Sequence, residues 1–281
     1  MDFGYPKSLT VKCTVDFLEE LVADGIKSKE FTNVKALLKL MLIWAVREEY
    51  LELDVMRIFW NLEISDKEFE HAYKDPSSQV FLDWELDRLI PYLKENRKMP
   101  HCMAIILMFV TGIRVGELVA LQKEDLRNDN SIVIKKSETR YNLGDGTGYH
   151  YEIVSHPKTQ AGYRNVYLPE EANWILKWMS SQDGEYIFMY QGHRITASAI
   201  RSKLYRICKK VGIASKGPHK LRKTYLSILL DEKCDQRLVT DQAGHASIKT
   251  SEASYHYNRK NAGKKIALLS NIDAFSRVSV D

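Results

Sequence analysis

Arg114, His219, Arg222, His245 and Tyr255 are the residues of this chain whose types and spacing suit work on a phosphate. His219 and Arg222 stand three apart in Pro-His-Lys-Leu-Arg (218–222), so a helix places them on one face. Gly244-His245 closes the following helical run, and Tyr255 comes ten residues after that histidine. Arg114 lies in Thr-Gly-Ile-Arg-Val-Gly-Glu-Leu (111–118), straight after an apolar run. A guanidinium fork grips two phosphate oxygens at once, which an ammonium does not. Imidazoles titrate close to neutrality. A phenol, with an ordinary pKa of ~10, becomes a nucleophile only beside a base or in a positive field. Singly, each residue is unremarkable: a His or Arg on a helix face is usually solvated, and the chain has fifteen tyrosines. Their weight comes from forming one ordered set.

That order, an Arg in T-G-x-R-x-x-E-L, then H-x-x-R, then G-H, then a Tyr towards the C-terminus, resembles the catalytic domain of the tyrosine recombinases (phage integrases, conjugative-transposon integrases and Xer-type resolvases). The similarity runs from Val80 to Tyr257. Lys158-Thr159 ahead of Arg164-x-x-x-Leu168-Pro169 also matches the family's pattern for a catalytic lysine on a β-turn. The resemblance implies a site-specific DNA recombinase that cuts and rejoins strands through a 3′-phosphotyrosyl intermediate, without cofactor or metal. It implies that Arg114 and Arg222 clamp the phosphate and that Lys158 protonates the leaving 5′ oxygen. His219 takes the tyrosine proton or orients the phosphate, His245 donates a hydrogen bond to it, and Tyr255 attacks. Tyr257 competes for that last place, but Ser-Tyr-His-Tyr-Asn-Arg (254–259) resembles a Y-H-x-N-R run whose first tyrosine is the nucleophile. Glu117 is expected to brace Arg114.

The same resemblance implies a double-stranded DNA recombination site as partner and a homo-tetramer in the synaptic complex. It allows an accessory DNA-bending or excision factor, and a C-terminal tail (261–281) docked on a neighbouring protomer, with packing onto its own domain as the simpler alternative. A type IB topoisomerase shares the chemistry and is one alternative. A non-catalytic DNA binder on the same fold is another, but such a protein is expected to lose Arg114, Lys158, Arg222 or Tyr255, and all four are present. A metal site is a poor reading, because no third ligand is suitably spaced and H-x-x-R supplies a cation where a ligand is wanted.

Positioning these groups is a matter for the whole chain. At 281 residues two domains are the prior. Apolar content of 44% with 28% charged residues describes globular core material. The longest apolar run, Met103 to Val110, is too short to span a bilayer, and the first residues lack a secretory pattern, which points to the cytoplasm. Cys13, Cys102, Cys208 and Cys234 are scattered and read as reduced thiols. Charge is segregated. Residues 1–77 hold ten Lys and Arg against fifteen Asp and Glu, whereas residues 201–281 hold seventeen against seven. A basic block within a folded region suits a polyanion.

Helical periodicity predicts a helix ending at Ala23, a second from about Asn33 to Glu49 with an apolar stripe through Leu37, Leu38, Leu40, Met41, Ile43, Trp44 and Val46, and a third near Asp54 to Leu62 contributing Phe59 and Trp60. By position and helicity, the resemblance identifies residues 1–76 as a helical core-binding (SAM-like) DNA-clamp domain. Lys35 and Lys39, one turn apart, are candidate DNA contacts on it, with plain solvated lysines as the alternative. Residues 79–281 form the catalytic domain. There, Phe81 opens a helix, Met103 to Val110 is a buried one, and Arg114 starts the next. Strands are expected at 131–136, 149–155 and 164–168, and helices at 172–181, with Trp174 and Trp178 in the core, and at 196–211. The last carries Arg201 and Lys203, which with Lys220 are further DNA-binding candidates. The fold class is mainly α with a small antiparallel β-sheet.

Overall fold

A computed structural model of the chain describes residues 9–60, 62–69, 75–155 and 163–244. Lys158, His245, Tyr255, Tyr257 and the tail 261–281 lie outside the described residues. The chain divides into two compact units, Met1–Tyr73 and Lys74–Asp281.

The first unit is helical. Thr10 caps α1 (Val11–Ala23), its hydroxyl accepting from the Cys13 N–H. Then come α2 (Ser28–Arg47) and α3 (Val55–Trp60). Its core is Leu18, Phe31, Leu42, Val55, Ile58 and Phe69, with the Phe31 and Phe69 ring centroids 5.2 Å apart. The stripe expected on α2 is too wide. Phe31, Leu38, Leu42 and Val46 supply the inward face, while Leu37, Leu40, Met41, Ile43 and Trp44 are exposed. A helix in a small bundle buries one stripe at i, i+3, i+4 and i+7, and this one starts from Phe31, ahead of the expected helix start. Six-residue α3 likewise turns Val55, Ile58 and Phe59 inward and leaves Trp60 74% exposed.

The second unit is built on α5 (Pro100–Thr111), apolar on every side. All of Cys102 to Met108 is buried, which is why the helix is central rather than amphipathic. It packs against α4 (Asp83–Glu95), α6 (Val115–Val119), α8 (Ala197–Lys210) and α9 (Pro218–Asp231). Each fully buried Met, Ile or Leu there stabilises the unit by about 1.5–3 kcal/mol. On α7 (Asn173–Ser180) the inward residues are Ile175 and Met179. Trp178 flanks them and packs 5.9 Å from Phe188, but Trp174, expected in the core, is on the exposed side.

Strands β1 (Ser131–Ile134) and β4 (Arg164–Tyr167) pair antiparallel, Ser131 opposite Tyr167 and Ile134 opposite Arg164. The polar stretch β2 (Ser137–Asn142) is also a strand, paired with β3 (Tyr149–Val154). Both its faces carry polar side chains, so its alternation is invisible until β3 returns beside it across the glycine-rich loop. A short hairpin, β5 (Met189–Tyr190) and β6 (His193–Arg194), completes the described strands as three two-stranded ladders. Finally α10 (Gln236–Ala243), capped by the Asp235 carboxylate at the Arg237 and Leu238 N–H groups, ends at Gly244 in the left-handed conformation.

Candidate active site

Arg114 is placed by the end of α5. Gly112 turns the chain at φ +64°, and a Cβ there would lie 2.3 Å from the Tyr225 ring of α9, so both conformation and space demand glycine. Ile113 plugs the core, and Arg114 becomes the N-cap of α6. Its N–H donates to Glu117 Oε2 at 2.9 Å and its Nη1 to Oε1 at 2.8 Å. Glu117 therefore fixes both ends of the arginine.

Glu117 holds a second arginine. From β4, Arg164 Nη1 and Nη2 reach Oε1 and Oε2 at 3.1 and 2.7 Å, and its Nε donates to the Gln242 carbonyl at 3.2 Å. The Glu117 and Arg164 side chains are 7% and 5% exposed. Burial alone drives the Glu117 carboxyl up, but the hydrogen bonds and charge of Arg164, then the charge and N–H of Arg114, outweigh it and hold it down at about 2. A carboxylate so deeply ionised braces cations and does not exchange protons near neutrality. Sequence reasoning missed Arg164 in this role. The available signal was its place two residues before buried Val166 on one strand, hence on the same face.

Arg222 comes from α9 and is 1% exposed. Its Nη1 donates to the Gly112 carbonyl at 2.7 Å and its Nη2 to the Ala243 carbonyl. Arg114 Nη2 donates to the next carbonyl, that of Gly244, at 3.3 Å. The last carbonyls of a helix lack intrahelical donors and carry partial negative charge, so the end of α10 gathers both guanidiniums. Arg114 remains 44% exposed at its side chain.

His219 sits in the first turn of α9 on the exposed side. Partial desolvation first, then the charges of Lys223, Arg222, Lys220 and Arg114, hold its imidazole below the usual value. Lys220 Nζ donates to Gln79 Oε1 at 2.6 Å. Of the sequence candidates, then, Arg114, His219, Arg222 and Lys220 are brought to one region. Arg201 and Lys203 stand on α8, exposed and half-buried, with no described contact to Arg114 or Arg222. Lys35 and Lys39 are half-buried on α2 of the other unit, their ammoniums 5.8 Å from the Phe31 ring centroid and 5.2 Å from that of Phe59. Among the described residues no cluster of three His, Cys, Asp or Glu could hold a metal, and no helix is long and apolar enough to cross a membrane.

Residues 79–262 match the phage integrase family. The chain is 28% identical over 178 residues to tyrosine recombinase XerD of Oceanobacillus iheyensis, across 62% of this chain and 56% of that protein. It is 24% identical over 275 residues to the ICEBs1 integrase of Bacillus subtilis, across 93% and 70%. The chain thus spans little more than half the length of the XerD relative. A solved structure of the Tn1549 transposon integrase in complex with a circular intermediate DNA superposes with a TM-score of 0.67 at 17% identity, over 95% of this chain and 87% of that one. At that identity the likeness is one of fold.

Proposed function

Because the chain belongs to the phage integrase family, we propose that it is a site-specific DNA recombinase working through a covalent 3′-phosphotyrosyl intermediate. One observation carries the reading: guanidiniums from α6 and α9 converge on the Ala243 and Gly244 carbonyls, directly ahead of His245 in the chain. Attack on a phosphodiester makes phosphorus five-coordinate and adds negative charge to its non-bridging oxygens. Two preorganised forks oppose that charge where it develops, worth roughly 10²–10³ in rate per donor group.

In this reading the Tyr255 oxygen bonds to phosphorus as the bond to the 5′ oxygen breaks. The phenolic proton passes to His219, and Lys158 gives a proton to the departing 5′ oxygen. His245 donates a hydrogen bond to the phosphate. One ester replaces another, so a second 5′ hydroxyl reverses the step on a partner strand. The first unit closes on DNA with Lys35 and Lys39, while Arg201, Lys203 and Lys220 contact the backbone from the second. Four protomers bridge two duplexes in the cytoplasm, with an accessory DNA-bending or excision factor directing the outcome.

The test is a duplex nicked close to its crossover, which traps the covalent adduct. Tyr255→Phe is expected to bind this DNA and form no adduct. Adducts that persist in Tyr255→Phe and vanish in Tyr257→Phe reassign the nucleophile. A mobility shift without adduct in the wild type replaces the enzyme with a binder, and relaxation of plasmids lacking any site replaces it with a topoisomerase.

A further inference from the structure

The segment Gln79–Leu82, near the start of the second unit, runs along the helix that carries His219 and Arg222. Lys216 Nζ donates to the Val80 carbonyl at 2.8 Å and pairs with the buried Glu85 carboxylate. That carboxylate also accepts the Leu82 N–H at 2.8 Å. The Phe81 N–H donates to Thr224 Oγ1 at 2.7 Å, and the Thr224 hydroxyl donates to the Lys220 carbonyl at 2.8 Å. The backbone beside Gln79 is thus stitched to α9, so the reach of the Gln79 side chain is set in advance.

That side chain meets two cations. Its oxygen accepts from Lys220 Nζ at 2.6 Å and Lys223 Nζ at 3.4 Å, and its Nε2 donates to Ser78 Oγ at 2.8 Å. These partners agree on one orientation of the amide, oxygen towards the ammoniums. Lys220 and Lys223 are three apart on α9, and Lys223, four from His219, lies on the same helix face as the imidazole, while the charges of both lysines act on it.

We infer that Gln79 is a positioning residue for the recombination reaction, gathering the Lys220 and Lys223 ammoniums beside His219 so that a basic surface faces the DNA backbone next to the clamped phosphate. The inference rests on the recombinase reading and adds to it a residue outside the ordered motif set. An ammonium held by a half-buried carbonyl acts on its neighbours through less solvent than one waving in water. The charges facing His219 are Lys220, Arg222 and Lys223 of its own helix and Arg114 at the start of α6. After partial desolvation, the larger cause, their combined field helps hold its imidazole below the usual value. Gln79 fixes two of the four.

Gln79→Met, neutral and close in size, removes the acceptor and the Nε2 donation to Ser78 without changing any charge. In DNA-free protein, the His219 imidazole followed by NMR (assigned by its loss in His219→Gln) is expected to titrate at higher pH in Gln79→Met than in the wild type. In a Lys220→Met/Lys223→Met background the same substitution is expected to change nothing further, because the effect travels through the two ammoniums. An unmoved midpoint in Gln79→Met, or an equal shift in that background, overturns the inference. With nicked DNA, the pH profile of adduct formation should move upward in parallel. The two failures are distinct: no adduct from the wild type removes the reaction, whereas an unmoved titration removes Gln79.

Discussion

Arg222 and Arg114, 108 residues apart in the chain, donate to consecutive carbonyls, those of Ala243 and Gly244. The two arginines differ sharply in exposure, one sealed in the interior and the other half open at the surface. That difference separates what each contributes to stability, while both are expected to serve the chemistry.

Arg222→Lys leaves the Gly112 and Ala243 carbonyls without their paired donors in a buried setting, a loss of about 1–3 kcal/mol for each buried group left unsatisfied. Arg114→Lys keeps a cation at an exposed site and is expected to cost under about 1 kcal/mol. Both should lower adduct formation by roughly 10²–10³. Urea unfolding beside the nicked-substrate assay checks the split. Equal stability losses in the two variants would contradict it.

Glu117 gives stability a distinct acid limb. Its carboxyl sits at about 2 against an ordinary 4.5, so the unfolded chain binds the proton more readily than the folded one. The contribution is therefore complete above the ordinary value and drains away as pH falls from 4.5 towards 2. It is on the order of 3 kcal/mol, from the size of that shift. Glu117→Gln should be destabilised by a similar amount at pH 7 and show a flatter loss of stability below pH 5. A wild-type-like acid limb in Glu117→Gln would count against this account.

Gly112→Ala forces a side chain into the left-handed region and against the Tyr225 ring. The backbone alone costs about 1–2 kcal/mol, and the contact adds to it. Tyr225→Ala made together with Gly112→Ala should recover the steric part and not the backbone part, so the double variant is more stable than additivity of the singles requires. Additive losses would mean the ring moves aside freely.

Removing residues 262–281 tests the proposed trans docking of the tail. Binding to a single duplex is expected to persist while synapsis and recombination fall. Unchanged recombination on the truncated chain would place the tail on its own domain.

Much of the fold was legible because it is local. The 3.6-residue period marks the helices, and continuous apolarity marks α5 as buried. Gly244 announces the end of α10, which closes at that glycine. The errors are also local in origin. On α2, apolar residues outnumber the width of the inward face, so periodicity alone over-assigned Leu37, Leu40 and Trp44 to it. On β2, polar residues on both faces hid the strand, and only pairing with β3 reveals it.

The amino-acid order by itself determined which phosphate-seeking groups exist and in what sequence they occur, since motif spacing and helix faces depend on neighbours a few residues away. Only the tertiary structure decided that Glu117 binds Arg164 from 47 residues off, that Arg222 finds Gly112 from 110 and Arg114 finds Gly244 from 130, and that Gln79 gathers two lysines of α9. The last three of those partners are two backbone carbonyls and one plain amide. Every residue owns a carbonyl, so nothing in a side-chain alphabet marks which one will be waiting at the end of a helix, and packing has to bring it there.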